Sequence, residues 1–202
     1  MDRVAVFLDY ENVHRTGHHL YSSYGTPTYA TVVNPIEIAE RVARKRNRES
    51  SVSEIHVFRG RPVPAHQPTP ASQNDIQAAA WAADPRVTMH RRDLKYDLYE
   101  DGTFSAREKG VDVALAVALV EGAMLERFDA AIVFSSDTDL IPAIELAYHR
   151  TPTHIEIACW TGGKPIWFPE GLRASPKRLA PYCHFLKEHD FIDARDASSD
   201  AG

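Results

Sequence analysis

A continuous apolar run, Val4 to Leu8, is the feature that most constrains the fold of this chain. The run shows no alternation of apolar and polar residues, which is typical of a strand buried on both faces, as in a parallel sheet. It is far too short for a signal peptide or a membrane span. It ends at Asp9, so an acidic side chain stands at the carboxyl end of this predicted strand.

Segments with strand-like and helix-like patterns alternate along the rest of the chain. Further strands are predicted at Glu54–Phe58, Val87–His90, Ala130–Phe134 and Ile155–Cys159. Helices are predicted from Asn34-Pro35 onward and at Ser72–Ala83, Val111–Leu125 and Asp139–Tyr148, with a last short helix or turn at Leu179–Phe185. Asp101-Gly102 marks a hairpin turn. The pattern predicts an α/β fold: a three-layer α/β/α sandwich with a mostly parallel central sheet, plus a small hairpin.

The same patterns predict how several segments pack. The polar segment through Tyr21 and Tyr24 contains glycine and proline, which predicts a loop. The helix at Val111–Leu125 is apolar on nearly every face, so we expect it to be the most buried one. The basic cluster from Arg41 to Arg48 is predicted to be a solvated face. Three residues of the helix at Ser72–Ala83 are predicted to face inward: Ile76, Ala79 and Ala80.

The composition, 44% hydrophobic and 25% charged over 202 residues, fits one globular domain and excludes a disordered chain. We expect a single domain over residues 1–195 and a disordered tail over 196–202. Cys159 and Cys183 lack metal-binding spacing, which favours reduced thiols and a cytoplasmic location. No segment reaches membrane-spanning length without a charge. The net charge of −5 argues against a protein that coats nucleic acid by bulk attraction.

Four aspartates are predicted to meet at one edge of the sheet. Asp9 follows the first strand, and Asp137 and Asp139 follow the strand at Ala130–Phe134. Asp112 begins the helix that leads into that strand. Ligands of open parallel sheets bind at the carboxyl ends of strands, near the point where strand order reverses. If these two strands are neighbours, the four carboxylates share one crevice.

Carboxylates that share a crevice repel one another, which raises their pKa values unless cations bind. Hard divalent cations prefer oxygen ligands, and such a site can polarise a phosphodiester and activate a water. The cluster therefore predicts phosphodiester hydrolysis. Each acid also has a structural alternative: Asp139 can cap a helix, Asp112 can interact with a helix dipole, and Asp9 can end a strand in a turn.

Two rival chemistries fit the sequence less well. Phosphatases that form an aspartyl-phosphate usually carry Asp-x-Asp after the first strand, whereas this chain has Asp9-Tyr10-Glu11-Asn12. A metal-dependent phosphatase stays an alternative. The segment Thr161-Gly162-Gly163-Lys164-Pro165 lacks the glycine spacing and the hydroxyl residue of a Walker loop.

Three segments resemble the motifs of NYN domains, which belong to the PIN-like nucleases. Leu8-Asp9-Tyr10-Glu11-Asn12-Val13 resembles the opening motif, and Lys109-Gly110-Val111-Asp112-Val113 resembles the second. Phe134-Ser135-Ser136-Asp137-Thr138-Asp139-Leu140 resembles the third. Their order and spacing agree, and the resemblance spans about Val4 to Cys159.

The resemblance implies a PIN-like domain that cleaves RNA with Mg2+ or Mn2+. Asn12 matches an asparagine that helps to order the site, and Ser135 matches a serine beside the metal loop. Lys109 would face the phosphate or pair with an acid. The acidic metal-site positions, which are also the implied catalytic ones, fall on Asp9, Asp112, Asp137 and Asp139.

Two positions depart from the family pattern. Many members carry another aspartate where this chain has Ala118, about 9 Å along the helix from Asp112. Ser136 stands where a glycine is common. A catalytically weak RNA-binding or protein-interaction module of the same fold is therefore a second hypothesis.

Substrate contacts are predicted around the acids, because RNA phosphates need basic donors. Tyr10 could stack on an unpaired base, which favours single-stranded RNA as the partner. A homo-oligomer, a protein partner and a toxin role are left open by the sequence. Backbone contacts are predicted for the four arginines that follow the second and third strands: Arg59, Arg61, Arg91 and Arg92.

Overall fold

The computed structural model describes residues 1–166 and 181–195. Its strands are β1 (Asp2–Asp9), β2 (Ser50–Arg61), β3 (Val87–Asp93), β4 (Lys95–Leu98), β5 (Phe104–Arg107), β6 (Ala130–Phe134), β7 (His154–Trp160) and β8 (Tyr182–Leu186). Its helices are α1 (Tyr10–Tyr21), α2 (Pro35–Arg44), α3 (Pro68–Trp81), α4 (Val111–Met124), α5 (Ile141–Arg150) and α6 (Glu188–Asp193). Short 3-10 helices lie at Thr28–Thr31 and Thr138–Leu140.

The central sheet has six parallel strands in the order β3-β2-β1-β6-β7-β8. The strands β4 and β5 form a separate antiparallel hairpin. From β1 the chain builds outward to β2 and β3, then returns to the other side of β1 with β6. The strand order therefore reverses between β1 and β6, the position at which open α/β sheets bind ligands.

Two apolar clusters, one on each face of the sheet, make up the core. Val4, Val6 and Leu8 of β1 pack in the cluster beneath α1, α2 and α6. Ala5 and Phe7 pack in the cluster beneath α4 and α5. Both sets are at most 1% exposed, which is why β1 reads as an unbroken apolar run. The predicted three-layer sandwich with a small hairpin is confirmed.

The loop predicted through Tyr21 and Tyr24 is wrong over most of its length, because α1 begins at once after β1. Val13 is 1% exposed in the core, and the Tyr10 hydroxyl donates to the Val33 carbonyl at 2.8 Å. The outward residues of α1 are polar, so the segment resembles a loop in sequence. Tyr24 does lie in a turn after the helix.

The inward face of α3 also differs from the prediction. Asn74 is buried because its amide donates to the Gly60 carbonyl at 3.1 Å, and Trp81 fills the core on the same side. These two side chains fix the orientation of the helix. The residues that face inward are Ala71, Asn74, Ala78 and Trp81. The residues predicted there, Ile76, Ala79 and Ala80, are exposed.

The helix α4 is not the most buried one, contrary to the prediction. Leu115 and Leu119 face the sheet, but Val113 is 63% exposed and Val117 is 60% exposed. The helix belongs to an outer layer, so only one of its faces meets the core. Its apolar composition alone did not reveal this.

The end of the chain adds a strand that the sequence did not predict. Within Leu179–Phe185, predicted as a helix or turn, residues from Tyr182 onward belong to β8, which pairs with β7. Residues 179–180 and the predicted tail at 196–202 lie outside the described residues. In the described part of the chain, no helix is long and apolar enough to cross a membrane.

Arg46 departs from the solvated face predicted for its cluster. Its side chain is 1% exposed and is bonded to Glu156 at 2.9 Å and to Asp2 at 3.1 Å. Glu156 also bonds to Nε2 of His184 at 2.7 Å. This buried network lies toward the amino ends of β1 and β7, away from the edge that carries Asp9.

Candidate active site

The neighbouring strands β1 and β6 bring Asp9 next to the loop that follows β6. Leu8 pairs with Phe134 in the sheet, so Asp9 and Ser135 come next to each other. The Ser135 hydroxyl donates to Oδ2 of Asp9 at 2.8 Å. The same oxygen of Ser135 accepts from the Asp137 backbone amide at 3.0 Å. One serine thus bonds both to the Asp9 carboxylate and to the backbone of Asp137 in the loop after β6.

Asn12 fixes the first turn of α1 to the same loop. Its Nδ2 donates to the Ser136 hydroxyl at 3.0 Å, and its Oδ1 accepts from the Ser136 backbone amide at 3.2 Å. Ser136, which stands where the resembling motif often has glycine, therefore contributes a side chain to the bracing. The loop geometry is held by hydrogen bonds from α1.

Three of the four predicted aspartates line one cavity of about 730 Å³: Asp9, Asp112 and Asp137. Asp112 reaches it from the first turn of α4, where Gly110 begins the helix with a φ of 74°. Asp137 caps the 3-10 helix by accepting from the Asp139 amide at 2.9 Å. The side chain of Asp139 is exposed and is not among the lining residues.

Two glutamates that the sequence analysis passed over line the same cavity: Glu11 and Glu108. We call this cavity, with its aspartates and glutamates, the acidic cleft. Glu108 is half-buried, and its carboxylate accepts from the Gly60 backbone amide. The neighbouring Lys109, which the resemblance had favoured, is exposed and does not line the cleft. A carboxylate two residues before the glycine that turns the chain into α4 was the signal available in the sequence.

The acids of the cleft disfavour one another's ionisation. The pKa of Asp9 is raised to about 7, first by burial and then by Asp112 and Glu108, against the opposing hydrogen bond from Ser135. Burial also raises the pKa of Asp112, and the charges of Asp137 and Asp139 add to it. A cation bound in the cleft would relieve this repulsion.

The donor set of the cleft fits a hard divalent cation, because its ligands would be carboxylate oxygens. Within residues 1–166 and 181–195, no group of three or more Asp, Glu, His or Cys side chains is arranged to hold a metal ion. Mg2+ usually keeps several waters and takes one or two carboxylates. Asp9 and Asp137, linked through Ser135, match that smaller requirement.

The four predicted arginines occupy different environments. Arg59 lines the acidic cleft and is only 8% exposed, with its guanidinium 4.6 Å from the centre of the Tyr10 ring. Tyr10 is 1% exposed and covered by this arginine, so its ring is not free to stack on a base. Arg61 and Arg91 do not line the cleft, and both pair with Asp75.

Arg92, the last of the four predicted arginines, is exposed and lies near Gly110, outside the cleft lining. Two arginines that the sequence did not predict as substrate contacts, Arg15 and Arg107, do line the cleft. Arg15 bonds to Glu11 at 2.9 Å, and 75% of its side chain is exposed. Arg15 escaped notice because its segment was taken for a loop.

Comparison with known proteins agrees with this architecture. The chain resembles the crystal structure of a protein of unknown function from Vibrio parahaemolyticus, with a TM-score of 0.50 and 14% sequence identity. The likeness covers 96% of this chain and 90% of that one, and at this identity it shows the fold alone. No curated protein matches the chain. The model of the NYN domain matches residues 3–158, which include all three motifs and every acid of the cleft. The chain therefore belongs to the NYN domain family, which has a PIN-like nuclease fold.

Proposed function

We propose that this protein is a divalent-metal-dependent ribonuclease that hydrolyses phosphodiester bonds of single-stranded RNA, acting in the cytoplasm. One observation carries the proposal: Asp9, Asp112 and Asp137 come from three separate elements and line a single cleft. Capping is a structural role for Asp137, and the helix dipole offers one to Asp112 in the first turn of α4. Neither role explains why Asp9 is buried beside other acids, which together raise its pKa.

The residues of the cleft have distinct roles in this proposal. Asp9 and Asp137 would hold Mg2+ or Mn2+, with Asp112 in the lining of the same cleft and Asp139 contributing charge from outside it. When bound, such a cation polarises the phosphodiester and lowers the pKa of a water. Ser135 orients one oxygen of Asp9, and Asn12 holds the loop that carries Asp137.

Basic side chains balance the charge of the RNA. Arg15 and Arg107 line the cleft and have exposed side chains that can reach phosphate oxygens. Arginine suits this role because its guanidinium forms paired hydrogen bonds to phosphate. Arg59 is held in place by the rings of Tyr10 and Trp81 and by Gln77, so it acts as a fixed positive charge in the cleft.

The experiment is cleavage of a fluorescently labelled single-stranded RNA in Mn2+ or in EDTA, by the wild type and by Asp137→Asn. We expect Asp137→Asn to lower the rate by more than about 100-fold, since even the outer partners of metal ligands contribute about 10–100-fold. Mn2+ should raise the Tm of the wild type and leave that of the variant unchanged. Equal metal-dependent cleavage by both proteins would overturn the proposal.

A non-catalytic RNA-binding or protein-interaction module is the second candidate, and Ala118 is the observation that favours it. The position of Ala118 argues against the non-catalytic hypothesis, because Ala118 packs against the apolar cluster beneath α4 and does not line the acidic cleft. Its missing carboxylate therefore removes no side chain from the cleft lining. A metal-dependent phosphatase is separated from both by release of phosphate from a chromogenic ester.

A further inference from the structure

A second cavity of about 370 Å³ adjoins the acidic cleft, and we call it the outer pocket. The residues that line both cavities are Glu11, Arg15, Arg59, Pro62 and Asn74. Because these residues are shared, the two cavities form one continuous depression. The volume of the outer pocket alone falls in the range of about 300–1,000 Å³ that is typical of small-ligand pockets.

The charge changes sign between the two cavities. Of the described residues that line the outer pocket, one is acidic, Glu11, while Arg15 and Arg59 are cationic and two are histidines. None of the aspartates of the cleft lines it. An RNA whose reacting phosphate lies at the aspartates would therefore have its neighbouring phosphate close to the positive charges of the outer pocket.

Arg59 stands between the cavities as a preorganised donor. Its guanidinium lies 4.6 Å from the Tyr10 ring centre and 5.5 Å from that of Trp81. Its Nη1 donates to Gln77 at 3.0 Å, but its buried Nε has no partner within the described residues. A buried donor without an acceptor destabilises the free protein. The Nη2 of Arg59 pairs with Glu11 at 3.5 Å, so the guanidinium is held as a fixed positive charge between the two cavities.

Two glutamines of α3 present amide groups to the outer pocket. Gln73 and Gln77 lie four residues apart, so they share one face of the helix. The Gln73 side chain is exposed and makes no hydrogen bond within the described residues, and the Oε1 of Gln77 accepts from Arg59, which leaves the NH2 group of Gln77. Free amides of this kind can bond to the edge of an unpaired base.

Tyr29 offers an aromatic ring at the same pocket. It is 71% exposed on the 3-10 helix at Thr28–Thr31. That helix is braced by the Thr31 hydroxyl, which donates to the Thr28 carbonyl at 3.0 Å and bonds to His18 at 2.8 Å. An exposed aromatic side chain on a braced turn is suited to stacking on a base.

We propose that the outer pocket binds one unpaired nucleotide of the RNA, next to the phosphate that lies at the aspartates. The base stacks on Tyr29, its edge meets Gln73 and Gln77, and its phosphate is near Arg15 and Arg59. This proposal rests on the proposed function for its substrate class. It adds a site that selects single strands, because a base in the pocket cannot be paired.

The test is fluorescence anisotropy with fluorescein-labelled A8, C8 and U8 RNA in EDTA, so that binding is measured without turnover. Tyr29→Ala should weaken binding about tenfold, within the usual effect of removing one stacked base. Tyr29→Phe should bind like the wild type. Tyr24→Ala is the matched control, because this tyrosine is fully exposed nearby and does not line the pocket. Gln73→Ala should change the order of affinities among the three RNAs.

The outcomes separate this proposal from the proposed function. If the wild type cleaves RNA with Mn2+ but Tyr29→Ala binds as well as Tyr24→Ala, the outer pocket is not a nucleotide site. If Tyr29→Ala weakens binding but no metal produces cleavage, the nucleotide site stands and the ribonuclease does not. Failure of the wild type to bind any of the three RNAs would also overturn the site.

Discussion

Buried carboxylates lie toward both ends of the central sheet, but their surroundings differ. At the amino-terminal side, Glu156 is 4% exposed and bonds to Arg46 and His184. Burial raises its pKa, but these hydrogen bonds outweigh burial and hold the pKa below its usual value. At the carboxyl ends of the strands, Asp9 is 6% exposed, and its hydrogen-bond donors among the described residues, Ser135 and the Asn12 backbone, are uncharged. Its pKa is raised to about 7.

The difference is whether the buried carboxylate has a cationic partner among the described residues. The Glu156 carboxylate is bonded to Arg46 and His184 within the protein, so its charge needs no bound cation. The acidic cleft contains acids that repel one another, which is typical of cation-binding sites. Burial alone would not have separated the two ends of the sheet.

Breaking the buried ion pair between Arg46 and Glu156 should have the largest effect on stability. Arg46→Met leaves Glu156 buried without its main partner, so we expect the free energy of unfolding to fall by about 3–5 kcal/mol. Urea denaturation measures this. Arg48→Met is the control, because the side chain of Arg48 is 60% exposed and its removal should change stability by less than about 1 kcal/mol. Equal losses for both variants would contradict the comparison.

Removing a buried charge at the carboxyl ends of the strands should instead raise the free energy of unfolding. The folded-state pKa of Asp9 lies above its unfolded value, so its ionisation lowers stability as pH rises from about 4 to 7. Asp9→Asn should therefore be more stable than the wild type at pH 8 in EDTA, by at most about 4 kcal/mol. At pH 4 the two proteins should unfold alike. An Asn variant that is less stable at pH 8 would show that the carboxylate is satisfied.

Glu108→Gln should have an intermediate effect, on metal affinity. The amide can still accept from Gly60 but removes a negative charge from the cleft. We expect the Kd for Mn2+, measured by calorimetry, to rise about tenfold, the lower end of effects for residues around a metal site. Glu100→Gln, an exposed glutamate in the hairpin, should leave the Kd unchanged. Matching Kd values for the two variants would remove Glu108 from the site.

Ala118→Asp should have the smallest effect. The position packs against apolar side chains away from the cleft, so a new carboxylate there would not reach a cation at Asp9. The rate of RNA cleavage should stay within about twofold of the wild type, given the distance along the helix from Asp112. A gain of more than tenfold would instead indicate a lost metal ligand, and would favour the non-catalytic module for the native chain.

The fold was largely predictable because its central strands are buried on both faces, and such strands have continuous apolar sequences. Asp9 and Asp137 were predictable for the same reason, since each follows one of these runs. The helix α1 was missed because its outward residues are polar and its inward ones, such as Tyr10, are few. The inward face of α3 was missed because a buried amide, Asn74, rather than an isoleucine fixes it.

Long-range contacts were the least predictable part of the site. Arg46 and Arg48 look alike in sequence, yet only the first finds a buried partner, 110 residues away. Glu108 enters the cleft through a bond to the Gly60 amide, 48 residues earlier in the chain. No local pattern reports such pairings, because periodicity describes the surroundings of one element at a time.

The hydrogen bond from Ser135 to Asp9 joins residues 126 positions apart, and it has a consequence for when the acidic cleft forms. The pairing of β1 with β6 must close a long loop, which slows folding relative to local structure. During synthesis the chain cannot assemble its acids until β6 has left the ribosome. A fragment that ends before β6 would keep Asp9 and Asp112 but lack Ser135 and Asp137, so the acidic cleft should form only late in synthesis.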